Sequence, residues 1–522
     1  MATETQPAIS EPIKTKDTLR AEVQSVGRHS LIYMIGPAFS KIVGFLLIPI
    51  YTRYITPDEY GVMSLVDQIT ALVVMVLSLN VSDAMTRFYY RTRNESERQQ
   101  LVSTVIVGFG LLAIPILLLC VAFSRQIIAP IVDAQQYTRY MQLAMVVAWF
   151  TMLLDIGYNY LRMCYRSKTF VTVTITQILA SVTLNIWLVV GFGLGIWGIL
   201  YSTLLVQGCL ALVVSAAILV QNRAWPSLDD FQKLIRFGLP LVPANVSQQL
   251  NNYLTPFMIR WLASADPVVA LAQVGLFSAG QKMGVVVNRF LVVPFNSFWR
   301  PRRMELVTQN DKQVDHIIAQ MCTYSTIANL AFGVLLSVAI QPMLQLIIDP
   351  QYLNCHYVVP IITLAYVVHG LEHHFATGIH HTGKTYYASV IGVACLGMVV
   401  VLNFGIIPQF GIIGAAMVSL MAAVVRSSLF YWYSQQIHYL PFEKGRLGVL
   451  FVLAAVVFAL AQLVQFDSAV LNLTLRTAVG MLFAPLLLWG GFFRSSEIAG
   501  MREQWIKLLD RFTNQRNNRF PA

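Results

Sequence analysis

Residues 101–123 read LVSTVIVGFGLLAIPILLLCVAF, without one charged side chain. A helix that crosses the hydrocarbon core of a bilayer needs about 20 such residues in succession, because each advances it by only about 1.5 Å. The same template recurs along the chain, at 30–52, 61–82, 140–161, 170–191, 194–220, 237–262, 273–298, 316–341, 357–379, 385–405, 410–434, 447–465 and 473–493. Of the 522 residues, 12% are charged, about half the share in a soluble domain. The sequence therefore predicts an all-α integral membrane protein of about 14 transmembrane helices, with no separate soluble core.

The net charge of +11 is spread over short connections between apolar runs, which is a topological pattern and excludes nucleic acid as the expected partner. Basic residues gather after even-numbered runs: Arg87, Arg91, Arg93 and Arg98; Arg162, Arg166 and Lys168; Arg223, Lys233 and Arg236; Arg300, Arg302, Arg303 and Lys312; Lys384; Lys444 and Arg446. Odd-numbered runs are followed by little beyond Arg53, Arg125, Arg139 and Arg476. The positive-inside rule then predicts a multi-pass protein of the bacterial cytoplasmic (inner) membrane with both termini in the cytoplasm. Residues 1–28 form a polar cytoplasmic tail, and 495–522 a basic one suited to anionic membrane lipids. The six cysteines are scattered and read as packing residues.

Two halves of the chain resemble each other. Lys168-Thr-Phe matches Lys384-Thr-Tyr (384 − 168 = 216), and Gly195-Ile-Trp-Gly198 matches Gly411-Ile-Ile-Gly414 at the same offset. Gly61-Val-Met-Ser64 matches Gly275-Leu-Phe-Ser278 (275 − 61 = 214), and Arg87 matches Arg300. Small residues recur wherever helices pack, yet a near-constant offset points to duplication. Six helices per copy is an even number, so the copies share an orientation and are related by an axis along the membrane normal. The expected division is 29–222 and 223–440 for two parallel, pseudo-symmetric six-helix bundles, with 441–494 as two extra helices.

Charged groups inside a span cost roughly 2.5–3.5 kcal/mol each and face a watery cavity or a partner. Lys41 stands midway along the first run; Lys282 and Arg289, seven residues apart, fall on one face of the eighth. Together they suggest a positive pocket. Asn245, Gln248, Gln249 and Asn252 form an amide stripe on the seventh helix, suited either to a hydroxyl-rich ligand or to interhelical hydrogen bonds. Arg53, Arg87 and Arg260 lie near helix ends, where they serve as interfacial anchors or line the site. Asp67, Asp155 and Glu372 are candidate proton or sodium sites, with His373 beside the last, or else partners for those cations. Asp155 and Glu372 occupy similar places in the halves (372 − 155 = 217).

Two patterns have the letters of enzyme motifs. His369-Gly-Leu-Glu372-His373 fits H-x-x-E-H, but no third zinc ligand is evident and no metal is expected. Gly378-Ile-His-His-Thr-Gly383-Lys384-Thr385 has the letters of a phosphate-binding loop without the strand and helix that loop requires. Neither supports a cofactor.

Gly36-Pro37, Lys41-Ile-Val-Gly44-Phe45, Pro49 to Arg53 and Thr56-Pro-Asp-Glu-Tyr-Gly61 resemble the first-helix signature of bacterial polysaccharide flippases. Arg166-Ser-Lys168-Thr and His381-Thr-Gly-Lys384-Thr resemble that family's recurrent basic turn. The resemblance spans about 28–440 and places the chain beside the polysaccharide branch of the multidrug, oligosaccharidyl-lipid and polysaccharide exporter superfamily. It implies alternating access between two bundles and, as substrate, a polyprenyl-pyrophosphate-linked oligosaccharide for surface polysaccharides such as O-antigen or exopolysaccharide. Guanidinium and ammonium groups suit the pyrophosphate, and an H+ or Na+ antiport would supply the energy. Polysaccharide polymerases and glycosyltransferases of the same pathway would be partners. The alternatives are a multidrug cation exporter and, further off, a membrane enzyme such as a polysaccharide polymerase, a ligase or a zinc peptidase.

Overall fold

A computed structural model describes residues 47–92, 94–307, 312–384, 386–495 and 497. Every regular element among them is helical. We label α1 (Pro57–Arg91), α2 (Glu95–Ala122), α3 (Ala134–Met163), α4 (Ser167–Gly191), α5 (Gly195–Asn222), α6 (Leu228–Gly238), α7 (Val242–Leu262), α8 (Pro267–Val307), α9 (Gln313–Ile347), α10 (Pro350–Phe375), α11 (Thr377–His381), α12 (Tyr386–Ile437), α13 (Lys444–Gln462) and α14 (Ala469–Trp489).

Their starts follow from local chemistry. Pro57 opens α1 while the Glu59 carboxylate accepts from the Thr56 amide. The side chains of Asn94, Asp133 and Ser468 accept amide N–H groups that the first turns of α2, α3 and α14 leave unpaired. Eleven helices, all of these except α6, α7 and α11, are long and apolar enough to cross a membrane. Large apolar side chains such as Leu118, Val213, Val401 and Val452 point outward, more than half exposed. Together with the spans this defines an integral, multi-pass membrane protein, since the outward surface needs hydrocarbon rather than water.

The count differs from fourteen for identifiable reasons. The expected spans 385–405 and 410–434 run together in α12, two helices joined across a kink at Gly411. The expected span 30–52 lies mostly outside the described residues, and 237–262 falls on the polar, amide-rich α7. Gly411 has φ 54°, and so has its repeat partner Gly195 at the start of α5. Both occupy a left-handed conformation that costs a residue with a Cβ, so the sequence match extends to the backbone at this pair. Arg300, Arg302 and Arg303, read as a cytoplasmic connection, lie within α8, and Arg303 is buried.

The chain divides into two compact units, Met1–Gly275 and Leu276–Ala522. In the first, α1 packs on α3 and α3 on α5, around Leu77, Met85, Val105, Phe109, Met152 and Ile218. Gly61 of α1 meets Leu271 and Gly275 of α8. A Cβ on Gly61 would overlap the Leu271 carbonyl oxygen and lie 3.0 Å from its carbon. A Cβ on Gly275 would overlap the Pro57 carbonyl oxygen and lie 2.9 Å from its carbon. The two repeat-related glycines thus make one close crossing, each against the carbonyl four residues before the other.

In the second unit α10 packs on α12, and α9 on α10, α13 and α14. Leu447, Leu450, Val457, Phe483 and Leu487 of the last two helices join the same core as Ile318, Leu330 and Val367. Helices α13 and α14 are therefore built into this unit. Its boundary at Gly275 also falls later than the repeat boundary at 222, because α6 and α7 pack on α1.

Candidate functional site

The main irregularity of the first unit is a break in α1. Leu79 (φ 44°) and Asn80 (φ 56°) are both left-handed, although neither is glycine, at a cost of about 1–3 kcal/mol each. Gly238 lets α6 press on the bend, since a Cβ there would overlap the Leu79 carbonyl oxygen. Beside the break lies a cavity of about 230 Å³ with Ala71, Val74 and Met75 on its apolar side and Ser78, Asn80 and Gln249 on its polar side. The Asn80 Nδ2 has no hydrogen-bond partner among the described residues, and Gln249 Nε2 donates to the Tyr253 hydroxyl at 3.3 Å. An unpartnered Asn80 amide nitrogen beside a broken helix, with Gln249 next to it, presents amide groups that can both donate to and accept from a hydroxylated ligand.

Of the amide stripe, Gln249 lines this cavity. Asn245, Gln248 and Asn252 lie on α7 by backbone, and their side chains are outside the described residues. So is Lys41. Arg53 is exposed near the chain's first described turn. Arg87 lies over the Phe237 ring, 4.5 Å from its centroid, and Arg260 donates through Nε to the Ile131 carbonyl.

Lys282 and Arg289 are exposed on α8 in the second unit. The helix is interrupted at Val285 and takes a π-helical course over Asn288–Val292, so the seven-residue spacing no longer translates directly into one face. Such π segments recur at functional sites.

The acidic candidates have unlike surroundings. Asp67 on α1 and Asp155 on α3 are exposed, whereas Glu372 is buried. One Glu372 oxygen, Oε2, lies 3.0 Å from Arg426 Nε and 3.1 Å from His369 Nδ1. The Arg426 contact is an ion pair without hydrogen-bond alignment. His373 stands edge-on to His369, centroids 5.1 Å apart. The sequence reading missed Arg426, although an arginine within the run 410–434 carries the same signal that singled out Lys41. It also missed the burial of Arg303.

The H-x-x-E-H letters are spent on this ion-paired cluster, and no group of three metal-binding side chains occurs among the described residues. The phosphate-loop letters begin within α11, where the Gly378 amide donates to Ser434 Oγ at 2.9 Å, and run on to the exposed Lys384 before α12. With helices on both sides, its amides are not arranged as a phosphate cradle.

Bent membrane helices, a polar cavity at a helix break and charges buried in spans define a polytopic α-helical membrane protein. The model of the polysaccharide biosynthesis protein family matches residues 26–307, and the chain belongs to that family. It is 35% identical over 65 residues to protein 1 of the Lsg locus of Haemophilus influenzae, a match that covers 12% of this chain and only 16% of that relative. Its fold is similar to the lipid II flippase MurJ in an inward closed conformation, with TM-score 0.70, 13% identity, and 89% of this chain and all of that one covered. It is also similar to an inward-facing multidrug resistance MATE transporter of the MOP superfamily (TM-score 0.59, 13% identity, 76% and 94% covered). A third likeness is a MOP superfamily transporter from Pyrococcus furiosus (TM-score 0.53, 12% identity, 79% and 94% covered).

Proposed function

We propose that this protein is no enzyme but a flippase, which moves a polyprenyl-pyrophosphate-linked oligosaccharide across the bacterial inner membrane for surface polysaccharide synthesis. The observation that carries this reading is the cavity at the broken helix α1, in a chain of this family. Its unpaired Asn80 amide and Gln249 suit sugar hydroxyls. Lys41, Lys282 and Arg289 take the pyrophosphate, and the prenyl chain stays in lipid. The duplicated halves, 29–222 and 223–440, alternate in access, with both termini cytoplasmic.

Coupling to H+ or Na+ runs through the Glu372 cluster, with Asp67 and Asp155 as secondary candidates. A buried carboxylate that must leave Arg426 to bind a cation links ion entry to movement of α10 against α12. The structural likeness to a multidrug transporter supports the fold alone, and a pocket of Lys and Arg repels cationic drugs.

The decisive experiment reconstitutes the purified protein in liposomes and follows a labelled lipid-linked oligosaccharide beside a panel of cationic dyes. Sugar-lipid flipping that falls in Asn80→Ala and Gln249→Ala is the expected outcome. Dye transport without flipping would replace this reading by drug export.

A further inference from the structure

Among the described residues Arg303 is the largest fully buried side chain, 1% exposed. A guanidinium cannot shed its charge at any working pH, and taking an ion out of water costs several kcal/mol unless a countercharge meets it. Yet its Nε and Nη1 have no hydrogen-bond acceptor among the described residues. Among the described residues the Cys322 thiol and Arg300, the latter of like sign, act on it, and His373, His374 and His380 lie within its electrostatic reach.

Five of the carboxylates among the described residues of this unit are engaged elsewhere. Glu305 pairs with Arg302 (2.7 Å), Asp315 with His438 (3.6 Å), and Glu372 with Arg426 (3.0 Å). Glu443 and Glu497 both pair with Arg446 (3.0 and 2.8 Å). One turn before Arg303 on the same face of α8, the indole of Trp299 is 5% exposed, and its Nε1 also lacks an acceptor among the described residues. Two side chains one helical turn apart are thus buried with donors unmet among the described residues.

Among the described residues, Ser325 and His374 supply no negative charge. Ser325 Oγ gives its hydrogen to the Cys322 carbonyl (2.9 Å), so at the Ser325–His374 contact (3.0 Å) His374 Nε2 is the donor. The neutral imidazole then keeps a lone pair on Nδ1, which satisfies a hydrogen bond without offsetting a charge. Water has the same shortcoming.

We propose that Arg303 and Trp299 form a binding site for a small monovalent inorganic anion of the chloride class, buried in the second unit beside α9 and α10. One guanidinium matches one negative charge, whereas phosphate would need a second cation, and Arg300 is exposed. The site is separate from the proposed substrate cations, because Arg303 follows Arg289 by 14 residues, about 21 Å of helix. Its occupant neutralises a charge at the packing of α8 against its neighbours, so anion binding and the stability of this unit are linked.

The test is binding of radiolabelled chloride to the purified full-length protein at constant ionic strength, with gluconate as the inert anion. Saturable binding, displaced by bromide, is expected. It should weaken at least tenfold in Arg303→Gln and severalfold in Trp299→Phe, and persist in the Lys282→Ala, Arg289→Ala double variant. No saturable binding to monodisperse wild-type protein overturns the proposal, as it would if a carboxylate of this chain filled the place. Unchanged binding in a folded Arg303→Gln overturns it too. Should Arg303→Gln fail to fold, Trp299→Phe decides, and unaltered affinity there refutes the site.

Discussion

Replacing Gly61 or Gly275 by alanine tests the crossing of α1 and α8 most directly. The new methyl on Gly61 would overlap the Leu271 carbonyl oxygen, with the carbonyl carbon 3.0 Å away and the Gly275 nitrogen at 3.1 Å. The methyl on Gly275 would meet Pro57 and the Gly61 nitrogen in the same way. These neighbours are backbone, so no rotamer change relieves the overlap. An ordinary C···O contact needs about 3.3 Å, and the helices must part by roughly 1 Å to provide it. Overpacking of this kind costs about 1–3 kcal/mol. Both methyls act on one crossing, so once the helices have parted for the first the second costs less. The double variant should fall short of additivity by about 0.5 kcal/mol or more. Thermal loss of the monodisperse species in detergent, read beside Gly392→Ala, where nothing lies within 4 Å of the added Cβ, measures the effect. Wild-type melting in either single variant, or strict additivity in the double, would refute the reasoning.

At the Glu372 cluster, Arg426→Leu leaves a buried carboxylate without its cation and should destabilise by about 3–5 kcal/mol. Adding Glu372→Gln should restore much of the loss; a double variant no more stable than Arg426→Leu would mean the pair is not coupled. For coupling itself, Glu372→Gln should impair flipping more than Glu372→Asp at equal membrane abundance, with unchanged flux and unchanged pH dependence as the refuting result. At the proposed pyrophosphate site, each of Lys41, Lys282 and Arg289 should contribute about 1.5–3 kcal/mol of charge-assisted binding. Normal flux in a well-expressed Lys282→Ala, Arg289→Ala variant would remove them from substrate recognition. Outside the spans, burial raises the Glu497 pKa, but hydrogen bonds from Arg446, Tyr324 and the Arg494 amide prevail and hold it at about 2. Its folded value lies below the ordinary 4.5, so its stabilisation is complete at neutral pH, declines as pH falls below about 4.5 and is gone near 2. Melting temperatures followed from pH 7 towards 3 should fall less steeply in Glu497→Gln than in wild type, and parallel curves would refute the assignment.

The sequence by itself determined the membrane class, because uncharged runs such as 101–123 are long enough to span a bilayer and need no partner to be recognised. It also singled out Glu372, since an ionisable group in an apolar run is costly wherever the chain folds. One matched pair, Gly195 and Gly411, shares a left-handed φ. What a charge meets depends on another helix. Only the tertiary structure joined Glu372 to Arg426, sealed Arg303 inside α8 rather than leaving it in a connection, and set Asp155 outward where Glu372 is enclosed. The cavity at Leu79–Asn80 was likewise illegible, because two non-glycine residues enter the left-handed region there only under packing that their own local preferences oppose. Hydropathy is a property of a segment and is read one residue at a time, whereas pairing, enclosure and strain belong to contacts between segments far apart in the chain.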